Sequence, residues 1–525
     1  MAILKEKAGG DVATFKVEII PRIPALPEII EKEKFDARYP LIQPYAFAHI
    51  KWDEEKRELI YFIEEPELTD REKKILAILE DGIRELINLS FISVKEKNTV
   101  IVYLEKNIKV LLNELSISVS SDSFLKLMYY IYRDFVGLNE LEPIMNDYFI
   151  EDIECNGVNT PVYLVHRKYK HIRTNLIYTD LEKLTSFVEK MAQKCGRYIS
   201  YASPLLDGSL PDGSRVNAVY TQEISSKGPS YTIRKFTKEP WSPINLIDKG
   251  TASPEILAYL WLATEYESNI IVIGGTGSGK TSLLNAIAFF IPPQLRIVSI
   301  EDTKELNLIH ENWLPSVARA GVGVATITGE KYGEISLFTL LKESFRQRPD
   351  YVIIGEIRGA EAYVLFQGMA SGHPSFGTMH AESVSTMVKR LETQPINLSP
   401  SLVEIIDVVC IMSQAKVQGK DTRKLSEIDE IISVKQRLGE AETAVPFKWD
   451  PASDRFYFKG DAHLFNKISS RFGIPKEKLM NELRLRAKLL YELYKQKIMD
   501  FRQVQNVINE YYKSPQGVLR KFKVI

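Results

Sequence analysis

A chain of 525 residues is too long for one hydrophobic core, because single cores stop growing well short of that length, so two or more globular parts are expected. Apolar residues at 45% and charged residues at 26% exclude disordered, collagen-like and coiled-coil chains. Sixty-eight Lys and Arg against 69 Asp and Glu leave no global field toward nucleic acid or an anionic membrane, which disfavours nucleic acid as a partner.

Cys155, Cys195 and Cys410 are far apart and offer no Cys-x-x-Cys spacing for a zinc ribbon, so a reducing compartment is expected. No run approaches the roughly 20 apolar residues that a spanning helix needs. Together these features predict a soluble, cytoplasmic protein.

Residues 1–35 carry Gly9-Gly10 and the spaced prolines Pro21, Pro24 and Pro27 without periodicity, which predicts a mobile arm ordered by a partner. Residues 36–147 read as an N-terminal α+β region. Tyr45 to Trp52 and Glu58 to Ile63 are two alternating strands about a charged turn. Thr69-Asp70-Arg71-Glu72 is a capping box for an amphipathic helix through Ile87, and further helical patterns run over Val100 to Leu115 and Phe124 to Phe135. Residues 148–236 read as a second α+β domain. It holds an alternating strand from Phe149, a hairpin after Val162 to Val165, a helix capped by Asp180 that carries Leu184, Val188 and Met191, and short strands near Arg215 to Tyr220 and Ser230 to Phe236. Residues 237–255, with Pro240, Pro243, Gly250 and Pro254, read as a linker. In 256–415, the apolar runs Ile270 to Ile273, Leu295 to Ile300, Tyr351 to Ile354 and Ser375 to Met379 alternate with helical patterns, the signature of βαβ units around a mostly parallel sheet. Residues 416–525 form a mixed extension that ends in helices.

Gly274-Gly275-Thr276-Gly277-Ser278-Gly279-Lys280-Thr281 fits G-x-x-x-x-G-K-[ST] between an apolar run and the helical stretch that starts at Ser282. Glycines there let backbone N–H groups close around phosphate oxygens at a helix N-terminus, where orphan donors and the helix dipole favour an anion. This predicts an ATP site contacted by Gly275, Thr276, Gly277, Ser278, Gly279, Lys280, Thr281 and Ser282. Lys280 would reach the β- and γ-phosphates and Thr281 would bind Mg²⁺.

Ligands of open parallel sheets bind outside the carboxyl ends of the strands. Glu356, after the run Tyr351 to Ile354, is therefore placed to hold Mg²⁺ directly or through water, whereas Asp350 precedes that run and reads as a turn residue. Glu301 and Asp302 follow another run, and Glu301 is the better candidate to orient and activate the attacking water. His380 follows Met379 and is a candidate γ-phosphate sensor. Acids at strand ends also cap helices, and a histidine there can equally be a satisfied core residue.

These motifs coincide with Ile300-Glu301-Asp302, with Arg346 to Asp350 running into Gly355-Glu356-Ile357-Arg358, with Ser371-Gly372-His373 to His380, and upstream with Ile153 to Gly157 and Leu206 to Asn217. In order and spacing the chain resembles the type II/IV secretion ATPase superfamily, with its Walker A, Asp box, Walker B and His box, over roughly residues 148–415. The resemblance implies a RecA-like P-loop core and a homo-oligomeric, hexameric ring at the inner membrane face that builds or turns pilus-like filaments. It also implies Glu301 as general base, Glu356 as the Mg²⁺-site acid, and Arg215 and Arg234 as arginines that the preceding domain sends to the nucleotide. Thr303 stands where many members have Pro. Within the superfamily the chain looks most like the archaellum assembly and motor ATPase, which implies a polytopic membrane platform protein and accessory cytoplasmic motor proteins as partners. An archaeal type IV pilus ATPase is the alternative, followed by a DNA-directed RecA-like translocase and a nucleotide-gated scaffold.

Overall fold

The alternation between Tyr45 and Ile63 forms a hairpin, whose two strands belong to a much wider sheet. The computed structural model describes residues 15–19, 24–86, 97–236, 239–319, 321, 332–417, 419–435 and 438–525. The chain divides into two compact units, Met1–Phe236 and Thr237–Ile525.

The first unit contains β1 (Glu18–Ile19), β2 (Asp36–Gln43), β3 (Ala46–Asp53), β4 (Glu58–Glu64), β5 (Ile150–Cys155), β6 (Pro161–His166), β7 (Lys170–Ile177), β8 (Leu205–Ser209), β9 (Arg215–Val219) and β10 (Ser230–Arg234). They make one ten-stranded sheet in the order β1-β2-β3-β4-β7-β6-β5-β10-β9-β8. The expected boundary at residue 147 therefore does not separate two cores. Strand β4 pairs in parallel with β7, and one apolar cluster includes Ile50, Tyr61, Leu104, Leu127, Leu164, Val188 and Ile233. The physical reason is that β4 and β7 would otherwise each present an unpaired edge.

Local signals hold within this unit. Thr69 N donates to Glu72 Oε2 at 2.8 Å and Glu72 N to Thr69 Oγ1 at 3.3 Å, opening the helix Asp70–Leu86; Ile87 lies outside the described residues. Asp180 Oδ1 accepts from Glu182 N at 2.8 Å and caps the helix Leu181–Lys194.

The mobile arm is corrected where it is described. Phe15 is buried and stacks on Tyr45 at 5.2 Å, β1 pairs with β2, and the Leu26 and Pro27 carbonyls accept from Lys168 Nζ and Tyr169 OH at 2.6 and 2.9 Å. Residues 1–14 and 20–23 lie outside the described residues.

The second unit contains β11 (Ile270–Gly274), β12 (Ile297–Glu301), β13 (Trp313–Val317), β14 (Tyr351–Ile354), β15 (Ser375–Met379), β16 (Val408–Val417), β17 (Lys420–Val434), β18 (Ala441–Asp450) and β19 (Arg455–Phe458). Their order is β13-β12-β14-β15-β11-β16-β17-β18-β19. Neighbours run parallel from β13 to β16 and antiparallel from β16 onward. Alternation divides the central strand between two cores: Ile270 and Val272 face one helix layer, and Ile271 and Ile273 the other. This is an α/β, RecA-like P-loop core with a mostly parallel central sheet and a helical C-terminal region.

The expected linker at 237–255 is part of this unit. Ser242 caps the helix Pro243–Asp248, and Ile244 and Leu246 are buried in the core. The C-terminal extension is likewise no appendage. Strands β17 to β19 lengthen the sheet, and the helices Lys476–Lys495 and Phe501–Lys513 place Leu483, Leu490, Val504 and Ile508 in one cluster with Val272 and Leu284. Arg486 is buried under this layer, 2.5 Å from Glu265 and over the Trp261 ring at 4.9 Å. Gln505 Nε2 donates to Phe289 O at 3.0 Å and Tyr512 OH to Phe290 O at 2.6 Å. Both carbonyls lie just past the helix Lys280–Ala288, where such groups lack intrahelical donors. Among the described residues, no helix is long and apolar enough to cross a membrane.

Because Leu490 is fully buried between the C-terminal helices and the core, Leu490→Ala should cost about 2–5 kcal/mol. Thermal unfolding should show the second unit melting earlier, whereas a freely solvated C-terminal extension would leave the transition unmoved.

Candidate functional site

Strand β11 ends in the phosphate loop, and glycine is required there for steric reasons. A Cβ at Gly274 would stand 2.4 Å from the Met412 carbonyl oxygen on β16. Gly277 and Gly279 adopt φ of 70° and 96°, a left-handed conformation that glycine takes without penalty. The helix Lys280–Ala288 starts directly after the loop, and its first-turn N–H groups have no intrahelical acceptor. Gln414 Nε2, also on β16, donates to Thr276 O at 3.1 Å. Ser278 Oγ donates to Gly275 O at 2.8 Å, bracing the loop from inside.

Lys280 curls over this loop. Its Nζ donates to Gly274 O at 3.1 Å and to Gly275 O at 2.8 Å, and burial pulls its pKa below the usual lysine value. Thr281 and Ser282 follow in the first helical turn, partly exposed. Thr276 and Gly277 are exposed, and a Cβ at Gly275 would meet nothing within 4 Å. The residues present thus fit a polyphosphate: an open side, orphan donors and a cation held by the loop itself.

Two carboxylates stand at neighbouring strand ends in different surroundings. Glu301, the last residue of β12, is almost wholly buried. Its Oε1 accepts from Glu305 N at 2.9 Å and Leu306 N at 2.8 Å, while Oε2 is buried without a hydrogen-bond partner. Burial pushes its pKa up to about 7, against the lowering effect of those two N–H groups. Gly355 is the neighbour that leaves it room, since a Cβ there would stand 3.2 Å from Glu301 Cγ.

Glu356 follows Gly355 and is paired on both oxygens. Oε1 is 3.2 Å from His380 Nε2, and Oε2 accepts from Arg358 Nη2. Arg358 Nη1 also reaches Asp302 Oδ2 at 3.4 Å, tying the ends of β12 and β14 together. Thr378 Oγ1 donates to Gly355 O at 2.6 Å, which fixes the turn against β15. Burial, then the nearby Lys280 charge, lowers the His380 pKa below its ordinary value.

The fold thus brings the loop, Glu301, Glu356 and His380 to the carboxyl edge of one sheet. Asp350 lies at the opposite edge, where its Oδ2 accepts from Arg296 N at 2.6 Å in a turn before β14. Arg215 and Arg234 belong to the other unit. They face each other across β9 and β10, and pair with Asp207 and Asp152 at 3.0 Å each. Sequence reasoning gave no role to Arg358. Its signal was its spacing, two residues beyond Glu356 in the same turn. The braces from Met412 and Gln414 had no such signal, because they depend on β16 lying beside β11.

The family model described as "Type II/IV secretion system protein" matches residues 162–440, more than half of the chain. This protein belongs to the type II/IV secretion system protein family. The family relationship extends to an uncharacterised protein of Methanocaldococcus jannaschii, 39% identical over 392 residues, covering 74% of this chain and 70% of that protein. A second relative is the type IV secretion system protein PtlH of Bordetella pertussis, 32% identical over 276 residues, covering 46% of this chain and 80% of that one. Among solved structures, the VirB11 ATPase from the Brucella suis type IV secretion system, in complex with sulphate, is similar at 25% identity and a TM-score of 0.28, covering 55% of this chain and 91% of that one.

The buried carboxyl of this secretion-family site sets a pH-dependent stability. Because the folded-state pKa of Glu301 lies above the ordinary value of about 4.3, the folded protein keeps a proton there that the unfolded chain releases, so stability falls as pH rises toward about 7. Glu301→Gln removes that loss. The variant should gain on the wild type between about pH 5 and about pH 8, by up to roughly 3 kcal/mol. Melting curves across this range check it, and parallel curves would refute the buried-carboxyl description.

Proposed function

We propose that this protein is a Mg²⁺-dependent ATPase, converting ATP and water to ADP and phosphate, that works as a hexameric ring motor. The observation that carries this reading is the convergence of the glycine loop and Lys280 with two carboxylates, one buried with an unsatisfied oxygen, one half-buried and paired, at neighbouring strand ends.

In this reading the backbone N–H groups from Gly275 to Ser282 hold the β-phosphate, and Lys280 exchanges its loop carbonyls for phosphate oxygens. Thr281 and Glu356 hold Mg²⁺, the latter directly or through water, as Glu356 shares its oxygens with Arg358 and His380. When bound, Mg²⁺ offsets charge on the β- and γ-phosphate oxygens. Glu301 Oε2, which lacks a protein partner, orients a water and takes a proton from it as the water oxygen attacks the γ-phosphorus and the bond from that phosphorus to the β–γ bridging oxygen breaks, the oxygen leaving with ADP. His380, held by Glu356, senses the γ-phosphate. Arg215 and Arg234 reach the nucleotide of an adjacent subunit when they leave their aspartates.

Phosphate release with Mg²⁺-ATP tests the assignment. Lys280→Ala should abolish turnover, Glu301→Gln should bind ATP yet turn over at least about 100-fold slower, and Asp350→Asn should stay near wild type. A dead Asp350→Asn beside an active Glu301→Gln would reverse the acids. Mixing Arg215→Ala or Arg234→Ala protein with Lys280→Ala protein should restore part of the turnover if sites are shared between subunits.

The motor is assigned to an archaellum at the cytoplasmic membrane face, where a polytopic platform protein and accessory cytoplasmic motor proteins would receive its strokes. What supports this is the resemblance in the core together with long regions on both sides of it, and the absence of a tetracysteine element. Cells carrying Lys280→Ala should lose swimming filaments and keep adhesive pili. The reverse phenotype would move the protein to pilus assembly.

A further inference from the structure

Resting on the ATPase reading above, we propose that Arg423 is a further nucleotide-binding residue, a second cation that contacts the phosphate chain beside Lys280. Arg423 lies on β17 directly opposite Gln414 of β16. This hairpin is docked on the loop at several points. Met412 O closes on Gly274, Gln414 Nε2 donates to Thr276 O at 3.1 Å, and Met412 Cε would lie 3.3 Å from a Cβ at Gly279. The Arg423 stem belongs to the same contact: its Cδ would lie 3.4 Å, and its Cβ 4.0 Å, from a Cβ at Gly279, the residue before Lys280. An arginine whose aliphatic stem is seated there has its planar head within one side-chain length of the loop opening.

Charge accounting favours a phosphate contact over a decorative surface position. The other arginines of the site are committed, Arg358 to Glu356 and Asp302, and Arg390 to the His380 carbonyl. Arg423 is exposed and, among the described residues, its guanidinium makes no hydrogen bond or ion pair. Lys280 shares its charge with two loop carbonyls, so a second cation from the same unit adds to what Mg²⁺ and an adjacent subunit's arginines bring to a triphosphate. A guanidinium is suited to the task because its fixed fork of donors matches phosphate oxygens. Substitution leaves the fold alone, since no polar contact depends on this side chain.

Equilibrium binding to the full-length protein, with ATP and with inorganic tripolyphosphate as probes, tests the inference. Arg423→Ala should weaken both probes by the same factor, about tenfold for one lost charge-assisted contact. Arg423→Lys should recover part of the loss and Arg423→Glu should deepen it, with the thermal transition unchanged in all three. Wild-type affinity in Arg423→Ala would overturn the proposal, as would a loss for ATP with none for tripolyphosphate, which would mean a contact to the nucleoside. A wild-type protein that binds neither probe would sink the ATPase reading itself, and this inference with it.

Discussion

The close approach of the Met412 carbonyl to Gly274 is the constraint on which the second unit depends. Strand β11 has to turn into the loop beside a neighbouring backbone that leaves no room for a side chain. Strand β16 must therefore lie parallel to β11 and in register, Gly274 opposite Met412. Once it does, the same strand continues into the hairpin with β17 and carries Gln414 to the loop. A glycine motif, often described as a local feature, is here half of a tertiary contact whose other half is almost 140 residues away in sequence.

The helix after the loop is gripped at its other end as well. Trp261 stacks on Phe290 at 5.2 Å and donates to Tyr512 OH at 2.9 Å, while Gln505 and Tyr512 cover the carbonyls past Ala288. Nine residues rising about 1.5 Å each thus join a phosphate cradle to the C-terminal helices.

At the strand ends, two acids of similar chemistry are driven apart by their surroundings. Glu301 is buried with one oxygen unsatisfied, and its proton affinity rises; Glu356 is tied to an arginine and a histidine near solvent. Burial of this kind is how a site holds a carboxyl whose proton affinity is raised beside one that stays committed to neighbouring side chains. Gly355 permits it by letting β14 pass close to the Glu301 side chain.

Period and spacing in the sequence determined what depends on neighbours along the chain: the hairpin after Tyr45, the capped helices at Asp70 and Leu181, the parallel runs, the loop, and the strand ends that carry Glu301 and Glu356. It located Asp350 at the opposite edge for the same reason, since strand direction alone decides it. Tertiary structure decided the rest. Residues 36–147 and 148–236 share a sheet because β4 and β7 satisfy each other's edges, and proline-rich 239–255 packs on the core because Ile244 and Leu246 find apolar partners far along the chain. The C-terminal helices read only as an extension because their buried faces are narrow, yet they pack in one cluster with the helix of the phosphate loop. Met412, Gln414 and Arg423 acquire their places only when strands distant in sequence lie side by side, an arrangement that long-range pairing and burial select and that no local pattern encodes.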